Sequence, residues 1–406
     1  MKFTHMAIFM TILGVKAFGE CELKEPNQVL NLIKLNHPSI MLNKAKVDTS
    51  KESITMASES PNPELDLSTV AGKSEGVHTA EHTLEIKHRF ELGGKRDSRI
   101  QVATNSFKTA KAFSRYQNES TIIDVVIKLH RLRQVHELIP LYEESLQAFS
   151  KILVALKKRK SLSPEQQVER GTLELATNDY KLKISQLDSE KINLNKHLSF
   201  FMGSTCLIPK LALPPSPNLD ETFAPKSSLS SYSKLEAARL FVETAKSSLE
   251  LQKSNATPDL RIGPTYKMDK EGANEVNSLG LALSIDLPVF NTNSAGKAKA
   301  AKELIAAKLS LKYIQDESLL DLEAWIAKYK RFSHSLKTIA NKEDLERKHQ
   351  KIERLFKRGI ISTSLVIESH RQLIEFSNTR FDFEQGAVEA LWEIYKINGE
   401  IQTKKI

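Results

Sequence analysis

The stretch SLGLALSIDLPVFNTNSAGKAKAAKE, residues 278–303, joins two patterns that rarely follow each other directly. Apolar residues first alternate with small or polar ones, at Leu279, Leu281, Leu283, Ile285, Leu287 and Val289. A short segment with Asn and Gly follows, and a segment rich in Ala and Lys begins after it. Because successive side chains of a strand point to opposite faces, the first part predicts a two-faced β-strand, and the second part predicts a helix.

The helical segment is unusually long. No Gly or Pro occurs in the 62 residues from Lys297 to Arg358, and a single helix of that length would extend about 93 Å. Its apolar stripe has alternating spacings of three and four residues, as in helices packed side by side: Leu322, Trp325, Tyr329, Phe332, Leu336 and Ile339. The first half has a similar stretch from Asp97 to Ile139, after which Pro140 predicts a kink or a helix end. A filamentous coiled coil is an alternative interpretation of the stripe.

Several segments recur at an offset of 195 to 200 residues. PELDL at 63–67 matches PDLRI at 258–262, and KRKSLS at 158–163 matches FKRGIIS at 356–362. LSFFMG at 198–203 matches IYKING at 394–399. Matches in the same order with nearly one offset indicate an internal duplication.

The duplication divides the chain into two similar halves. We predict a first repeat at 20–206, with strands at about 63–72 and 82–92 and long helices at about 97–160 and 164–203. A Pro- and Ser-rich linker follows at 207–231. The second repeat covers 232–400, with strands at about 258–268 and 278–289 and long helices at about 296–358 and 362–399, and 401–406 form a tail.

The N-terminus has the pattern of an export signal. Lys2 precedes an apolar run from Met6 to Val15, and small residues follow at Ala17 and Gly19, so we predict a signal peptide at 1–19. Glu20 precedes Cys21 where a lipoprotein would carry a small residue. Cys21 and Cys206 can pair only if the fold brings them together, and two unpaired thiols are the default expectation.

Four strands cannot form a closed barrel within one chain. An open sheet edge in lipid leaves unpaired backbone groups that cost several kcal/mol each, so membrane strands require other copies. Three copies would supply twelve strands, the smallest count that leaves a usable lumen. The predicted fold class is therefore mainly α with transmembrane β: long helical hairpins forming a tube, and four strands per protomer in a trimeric 12-stranded barrel.

The sequence resembles the outer-membrane efflux proteins of the TolC type. The resemblance extends over about residues 27–400 and rests on the repeat and on three motifs: LNHPSI, LPVFNTNSAGK and LFKRGIISTSLVIESHRQL. FELGGKRDSR resembles the heavy-metal (CzcC-like) branch. The resemblance implies a homotrimeric channel in outer-membrane lipid with a periplasmic extension, not an enzyme, that conducts heavy-metal ions or drugs.

The resemblance also implies where partners bind. The turns between paired long helices would contact a periplasmic adaptor protein, which links the channel to an inner-membrane RND or ABC transporter. At these turns the adaptor-docking residues are Leu162, Ser163, Gly359, Ile360 and Ser362. The alternative interpretation is that these residues only form the turns.

Two further groups of residues are expected along the conduit. The strand-to-helix junctions should lie at Gly93, Gly94, Asn291 and Gly296, because Gly and Asn adopt tight turns or positive φ. Polar positions on the strands predict a wet lumen, with candidates Glu85, Lys87, Arg89, Asp259 and Arg261.

Other functional classes have weaker support. The 59 Lys and Arg are interspersed with 50 Asp and Glu despite a net charge of +9, so we expect no nucleic-acid partner. No nucleotide-binding, nucleophile or metalloprotease motif is present, which predicts no cofactor and no catalytic residue. His78 and His82 lie in a predicted outer loop and are expected to be solvated, so no metal site is predicted. A periplasmic structural coiled-coil protein and the outer-membrane component of type I secretion remain alternative functions.

Overall fold

A computed structural model describes residues 21–224, 229–339, 342–358 and 360–406 of the chain. The predicted signal peptide, part of the linker and Gly359 lie outside these ranges. The helices are α1 Pro26–Asn36, α2 Pro38–Ser58, α3 Lys95–Lys157, α4 Pro164–Phe201, α5 Ser233–Ser254, α6 Ser294–Thr338, α7 Lys342–Lys357 and α8 Thr363–Asn398. The strands are β1 Glu64–Ser74, β2 Val77–Phe90, β3 Leu260–Glu271 and β4 Asn274–Ile285.

The four strands form one antiparallel sheet in the order β1-β2-β3-β4, so β1 and β4 are its edges. The central pair β2 and β3 comes from different halves of the chain, and its register sets Leu84 opposite Tyr266. On either side of residues 207–231, two strands lie between shorter helices, α1 and α2 or α5, and the helices that follow them. The division of the chain into two repeats at 20–206 and 232–400 stays a prediction.

β2 and β3 approach closely at Gly263. A Cβ atom at this position would lie 1.7 Å from the carbonyl oxygen of Ile86. The next residue, Pro264, has no backbone N–H to donate to the sheet. Gly263 therefore allows the two hairpins to meet where regular pairing is interrupted.

The hairpins are longer and their turns tighter than the sequence predicted. β1 pairs with β2 up to Ser74 opposite Val77, and β3 pairs with β4 up to Glu271 opposite Asn274. The expected outer loop around His78 and His82 is wrong, because both residues lie within β2. Alternation extends through this region, and a two-residue turn suffices to join the strands.

The long helix α3 is not interrupted at Pro140. It continues from Lys95 to Lys157, which are 63 residues and about 95 Å of helix. The predicted helix end is wrong, and the predicted kink stays a prediction. Pro140 is exposed, so water can solvate the carbonyl group that loses its partner. The preceding Leu138 and Ile139 are buried and hold the helix in place. Among the described residues, no helix combines the length and apolar character needed to cross a membrane.

The continuous helix expected from 296 to 358 is also wrong, since α6 ends at Thr338 and α7 begins at Lys342. Ile339 has extended backbone dihedrals, with ψ 162°. The Thr338 hydroxyl donates to the carbonyl oxygens of His334 and Ser335, at 3.1 and 3.0 Å. Thr338 and Ile339 are β-branched, which disfavours the helical backbone, and the hydroxyl of Thr338 competes for backbone carbonyl groups. Both effects are physical reasons for the helix to end here.

Two clusters of buried side chains stabilise the helices. The larger one lies at mid-length and includes Leu129, Tyr329 and Trp392. The other, here called the distal cluster, joins α3, α4 and α8 through residues such as Phe149, Leu173 and Ile374. Leu322 and Tyr329 of the predicted stripe are buried in the larger cluster, and Trp325, Phe332 and Leu336 pack against it.

A buried ion pair crosses between the two halves of the chain. Arg133 of α3 and Glu384 of α8 are 7% and 4% exposed, and their side chains are in contact. Arg133 also donates to Glu137 at 2.9 Å. Burial lowers the pKa of the Arg133 guanidinium. Gln134 donates to the carbonyl oxygen of Phe381 at 3.2 Å, which adds a second link between α3 and α8.

Cys21 and Cys206 form a disulfide, with Cα atoms 5.1 Å apart. The expectation of two unpaired thiols is therefore wrong. The backbone N–H of Cys21 donates to the carbonyl oxygen of Leu207 at 2.9 Å, so the N-terminal segment returns to the end of α4. No sequence pattern predicts this approach, because 185 residues separate the cysteines. A sulfur in a disulfide is also not free to carry a lipid thioether.

Candidate functional site

One face of the sheet carries a network of ion pairs. Lys87 contacts Asp66 at 2.7 Å and Glu85 at 2.8 Å. Glu64 contacts Arg89 at 2.6 Å and Arg261 at 3.6 Å. The register places these residues on the same face of three adjacent strands. Four of the five residues predicted to line a lumen, Glu85, Lys87, Arg89 and Arg261, are thus brought together.

Asp259 makes its ion pair outside the sheet. It precedes β3 and contacts Lys95, the first residue of α3, at 2.5 Å. It also accepts a hydrogen bond from the backbone N–H of Leu92, at 3.3 Å. Asp259 therefore ties the start of the long helix to the start of the neighbouring strand.

The opposite face of the sheet is apolar and exposed. Leu65, Leu67, Leu279, Leu281 and Leu283 are between 60% and 82% exposed in the single chain. A continuous apolar surface of this kind marks a contact with lipid or with another protein surface. The sheet therefore has one charged and one apolar face, and both are uncovered.

At the first strand-to-helix junction, Gly93 and Gly94 have φ of 70° and 68°. A Cβ at Gly93 would lie 2.5 Å from the hydroxyl oxygen of Thr257. Both the positive φ and the lack of space for a side chain therefore favour glycine at this position. Arg99 of α3 stabilises the same corner, because it contacts Glu91 at 2.5 Å and donates to the carbonyl oxygen of Ala57 at 2.9 Å. The predicted junction residues therefore lie at a turn that requires glycine.

At the second junction the left-handed residue is Asn293, with φ 53°, and not Asn291 or Gly296. Asn291 accepts a hydrogen bond from the backbone N–H of Asn293 at 3.0 Å. Gly296 lies in the first turn of α6, where a Cβ would be 2.2 Å from the side-chain oxygen of Asn293. The Asn293 amide donates to the carbonyl oxygen of Gln252 at 2.7 Å. Sequence reasoning missed Asn293, although Asn tolerates this conformation better than other residues with a side chain.

The turns between long helices are here called the α3–α4 tip, residues 158–163, and the α7–α8 tip, residues 358–362. Ser163 caps α4 by accepting from the backbone N–H of Gln166 at 3.3 Å, and Ser362 caps α8 by accepting from that of Leu365 at 3.4 Å. Leu162 packs against the distal cluster, and Ile360 is 63% exposed. Gly359 lies outside the described residues, so its predicted role in the turn stays a prediction.

The two histidine patterns of the chain differ in geometry. His78 and His82 are four residues apart on a strand, which is about 13 Å, so they cannot share one metal ion. His82 is instead 3.0 Å from the Thr69 hydroxyl. A second group was not predicted from the sequence: His349, Glu353 and His370 each offer one ligand atom, and these atoms lie within 4.8 Å of one another. The i, i+4 spacing of His349 and Glu353 on a helix was the available signal.

Known proteins are similar to the chain in sequence and in fold. No protein-family model matches the sequence. The chain is 26% identical over 285 residues to the cobalt-zinc-cadmium resistance protein CzcC of Cupriavidus metallidurans, and the match spans 66% of this chain and 65% of that protein. Its fold is similar to the open state of the MtrE outer membrane channel of Neisseria gonorrhoeae, with a TM-score of 0.72, 12% identity, and 93% and 89% of the two chains covered.

A second solved structure has a similar fold. CusC, a protein that forms a transmembrane channel, has a TM-score of 0.67 and 12% identity, with 95% of each chain covered. The chain has the fold of the TolC-like outer-membrane channels. The predicted fold of long helical hairpins with four strands is confirmed, and the chain is similar in sequence to CzcC, a protein of the heavy-metal branch that it was predicted to resemble. The matched folds are those of channels, and the expectation that the chain is not an enzyme stays a prediction.

Proposed function

We propose that the chain is the outer-membrane exit duct of an efflux pump, through which substrates leave passively after an inner-membrane transporter has exported them. The observation that carries the proposal is the sheet with two uncovered faces. Its strands of 11 to 14 residues are long enough to cross a bilayer at a tilt. An apolar outer face and a charged inner face match the two environments of a barrel strand.

The edges of the sheet support a homotrimer. β1 and β4 leave a row of unpaired backbone groups each, and lipid cannot satisfy them. If β4 of one copy pairs with β1 of the next, three copies close a barrel of twelve strands. The ion pairs around Lys87 and Arg89 would then line the lumen and keep it wet.

The long helices would form a periplasmic extension of the barrel. α3 alone is about 95 Å long, which is about twice the thickness of a bilayer with its headgroups. The two tips at the far end of this tube would contact the hairpin of a periplasmic adaptor, through Leu162, Ser163, Gly359, Ile360 and Ser362. The adaptor would connect the channel to an RND or ABC transporter.

Heavy-metal ions are the proposed cargo. The support is the match to CzcC, which is named for cobalt, zinc and cadmium resistance. A cell that lacks the chain should become sensitive to these ions, and re-expression should restore tolerance. Unchanged metal tolerance with lost drug tolerance would assign the duct to drugs instead.

The channel itself is tested on protein extracted in detergent from isolated outer membranes. We expect a species of three times the protomer mass that resists mild SDS, dissociates on heating and conducts ions in planar bilayers. A water-soluble monomer or dimer in the periplasm would contradict the proposal.

Adaptor contact is tested separately with a photo-crosslinking amino acid. Placed at Ile360 or Leu162, it should link the channel to the adaptor in whole cells. The matched control position is Lys51, which is also exposed on a helix but lies on α2, away from both tips. Equal crosslinking at all three positions would mean that the tips are not the docking surface.

A further inference from the structure

Three metal-ligating side chains meet between α7 and α8, close to the α7–α8 tip. His349 and Glu353 are one turn apart on α7, and His370 is in the second turn of α8. His349 and His370 are 9% and 1% exposed, and Glu353 is half-buried. Among the described residues this is the group whose ligand atoms lie within 4.8 Å of one another.

The distance between the two histidines is suited to a tetrahedral metal. Their Nε2 atoms are 3.4 Å apart, and the rings are nearly perpendicular, at 84°. Zinc binds imidazole nitrogen at about 2.0–2.1 Å, so two ligands at the tetrahedral angle are about 3.3–3.4 Å apart. The rings therefore already have the separation that a shared ion would impose.

The hydrogen bonds around His370 are compatible with a proton on Nδ1. The hydroxyl of Ser145 is 2.8 Å from the carbonyl oxygen of Leu141, to which it can donate its single proton. The same oxygen is 2.8 Å from Nδ1 of His370 and can then accept the Nδ1 proton. Nε2 is then unprotonated, and its lone pair is directed at His349.

The surroundings of His349 favour the same tautomer. Its Nδ1 is 3.8 Å from a carboxylate oxygen of Glu144, which attracts the ring proton to that side. With both rings in this tautomer, two Nε2 lone pairs face each other at 3.4 Å, and a cation between them would stabilise the arrangement. A shared proton would satisfy the two histidines alone. The carboxylate of Glu353, which also contacts Lys357 at 3.3 Å, lies close enough to both histidines to be a third ligand of a metal ion.

A solvent path reaches the group. His349 and Glu144 line a cavity of about 440 Å³ together with Leu141 and Pro140. The cavity can hold a water as a fourth ligand and lets an ion enter. One carboxylate with two neutral imidazoles also leaves one negative charge to balance part of a divalent ion.

We propose that His349, Glu353 and His370 bind one divalent transition-metal ion of the zinc type, with a water from the cavity completing the tetrahedron. The ion ties α7 to α8. Ser145 and Glu144 extend this link to α3, because each orients one of the histidine ligands. The site is independent of the cargo and of the channel function.

The test uses the full chain in detergent, without a polyhistidine tag and freed of metal by a chelator. Zinc is titrated by calorimetry, and cobalt is added in parallel because tetrahedral Co²⁺ has a strong visible absorption. We expect one ion per chain and the tetrahedral cobalt spectrum. Absence of saturable zinc binding in the folded protein would overturn the proposal and identify a histidine pair that shares a proton.

Variants assign the ligands. His349→Asn and Glu353→Gln should each weaken zinc binding by about tenfold or more, and Ser145→Ala by about 10–100-fold through the loss of ligand orientation. His334→Asn, an exposed histidine of α6, is the matched control and should bind as the wild type does. His349 and Glu353 are chosen because the more buried His370 is needed for packing. Unchanged affinity in both variants, with folding verified by circular dichroism, would place any bound zinc elsewhere.

Discussion

The disulfide between Cys21 and Cys206 makes a quantitative prediction about stability. Its ends are 185 residues apart, so it closes a very long loop in the unfolded chain. In the chain-entropy treatment, closing a loop of this length stabilises the folded state by about 5 kcal/mol at 25 °C. Cys206→Ser should lower the free energy of unfolding by about that amount.

The assay is guanidinium unfolding of the detergent-solubilised protein, followed by the fluorescence of Trp325 and Trp392. Cys21→Ser, Cys206→Ser, the double variant and reduced wild type should all have the same midpoint, because each lacks the same bond. Oxidised wild type should unfold at a higher concentration. Equal midpoints for oxidised and reduced wild type would refute the reasoning, as would maleimide labelling of both cysteines in the unfolded, unreduced chain.

Further predictions concern the buried groups of α3 and the sheet. Arg133→Met should lower the free energy of unfolding by about 3–5 kcal/mol because it leaves Glu384 buried and unpaired, whereas the double variant Arg133→Met/Glu384→Leu should recover most of the loss in the same assay; an additive loss would contradict this. Burial, and then the charge of Arg133, lower the pKa of His130 to about 3, below its unfolded value near 6.5. The free energy of unfolding should therefore decrease as the pH falls from about 6.5 towards 3, by about 1.4 kcal/mol per pH unit for this group. His130→Leu should remove this contribution, which corresponds to about one proton, from the slope of the free energy of unfolding against pH. Gly263→Ala should abolish the heat-modifiable species, since its Cβ would overlap the neighbouring strand, whereas Gly72→Ala, with its nearest contact at 3.6 Å, should leave that species intact on gels.

The sequence predicted those elements whose pattern is local and long. Alternation of apolar and polar residues located all four strands, and the absence of Gly and Pro located α3 and α6. The charged face followed from the same alternation, because residues two apart on a strand share a face. Glu85, Lys87, Arg89 and Arg261 were therefore correctly placed on one surface.

Features that depend on tertiary approach were not predictable in this way. The disulfide joins residues at the two ends of the first half, and the group at His370 requires the packing of α8 against α7. Rules that place helix ends at Gly or Pro were not sufficient. α3 continues through Pro140, which is exposed to solvent, and α6 ends before Ile339, where local hydrogen bonds of Thr338 compete with the helix. Asp259 alternates in sequence with Arg261, yet it pairs with Lys95 of α3, a contact that the alternation does not indicate.

The two free edges of the sheet have a genetic consequence. In the proposed trimer each chain offers β1 to one neighbour and β4 to the other, so every copy is needed to complete the ring. A chain with a proline in β4 would still pair with one neighbour through its intact β1. Its β4 could not pair with the next chain, so the barrel would not close. If half of the chains in a cell carried such a defect, roughly one ring in eight would be free of it. Mutations in these edge strands should thus be dominant over the wild-type copy, whereas mutations at the helical tips would leave the ring closed.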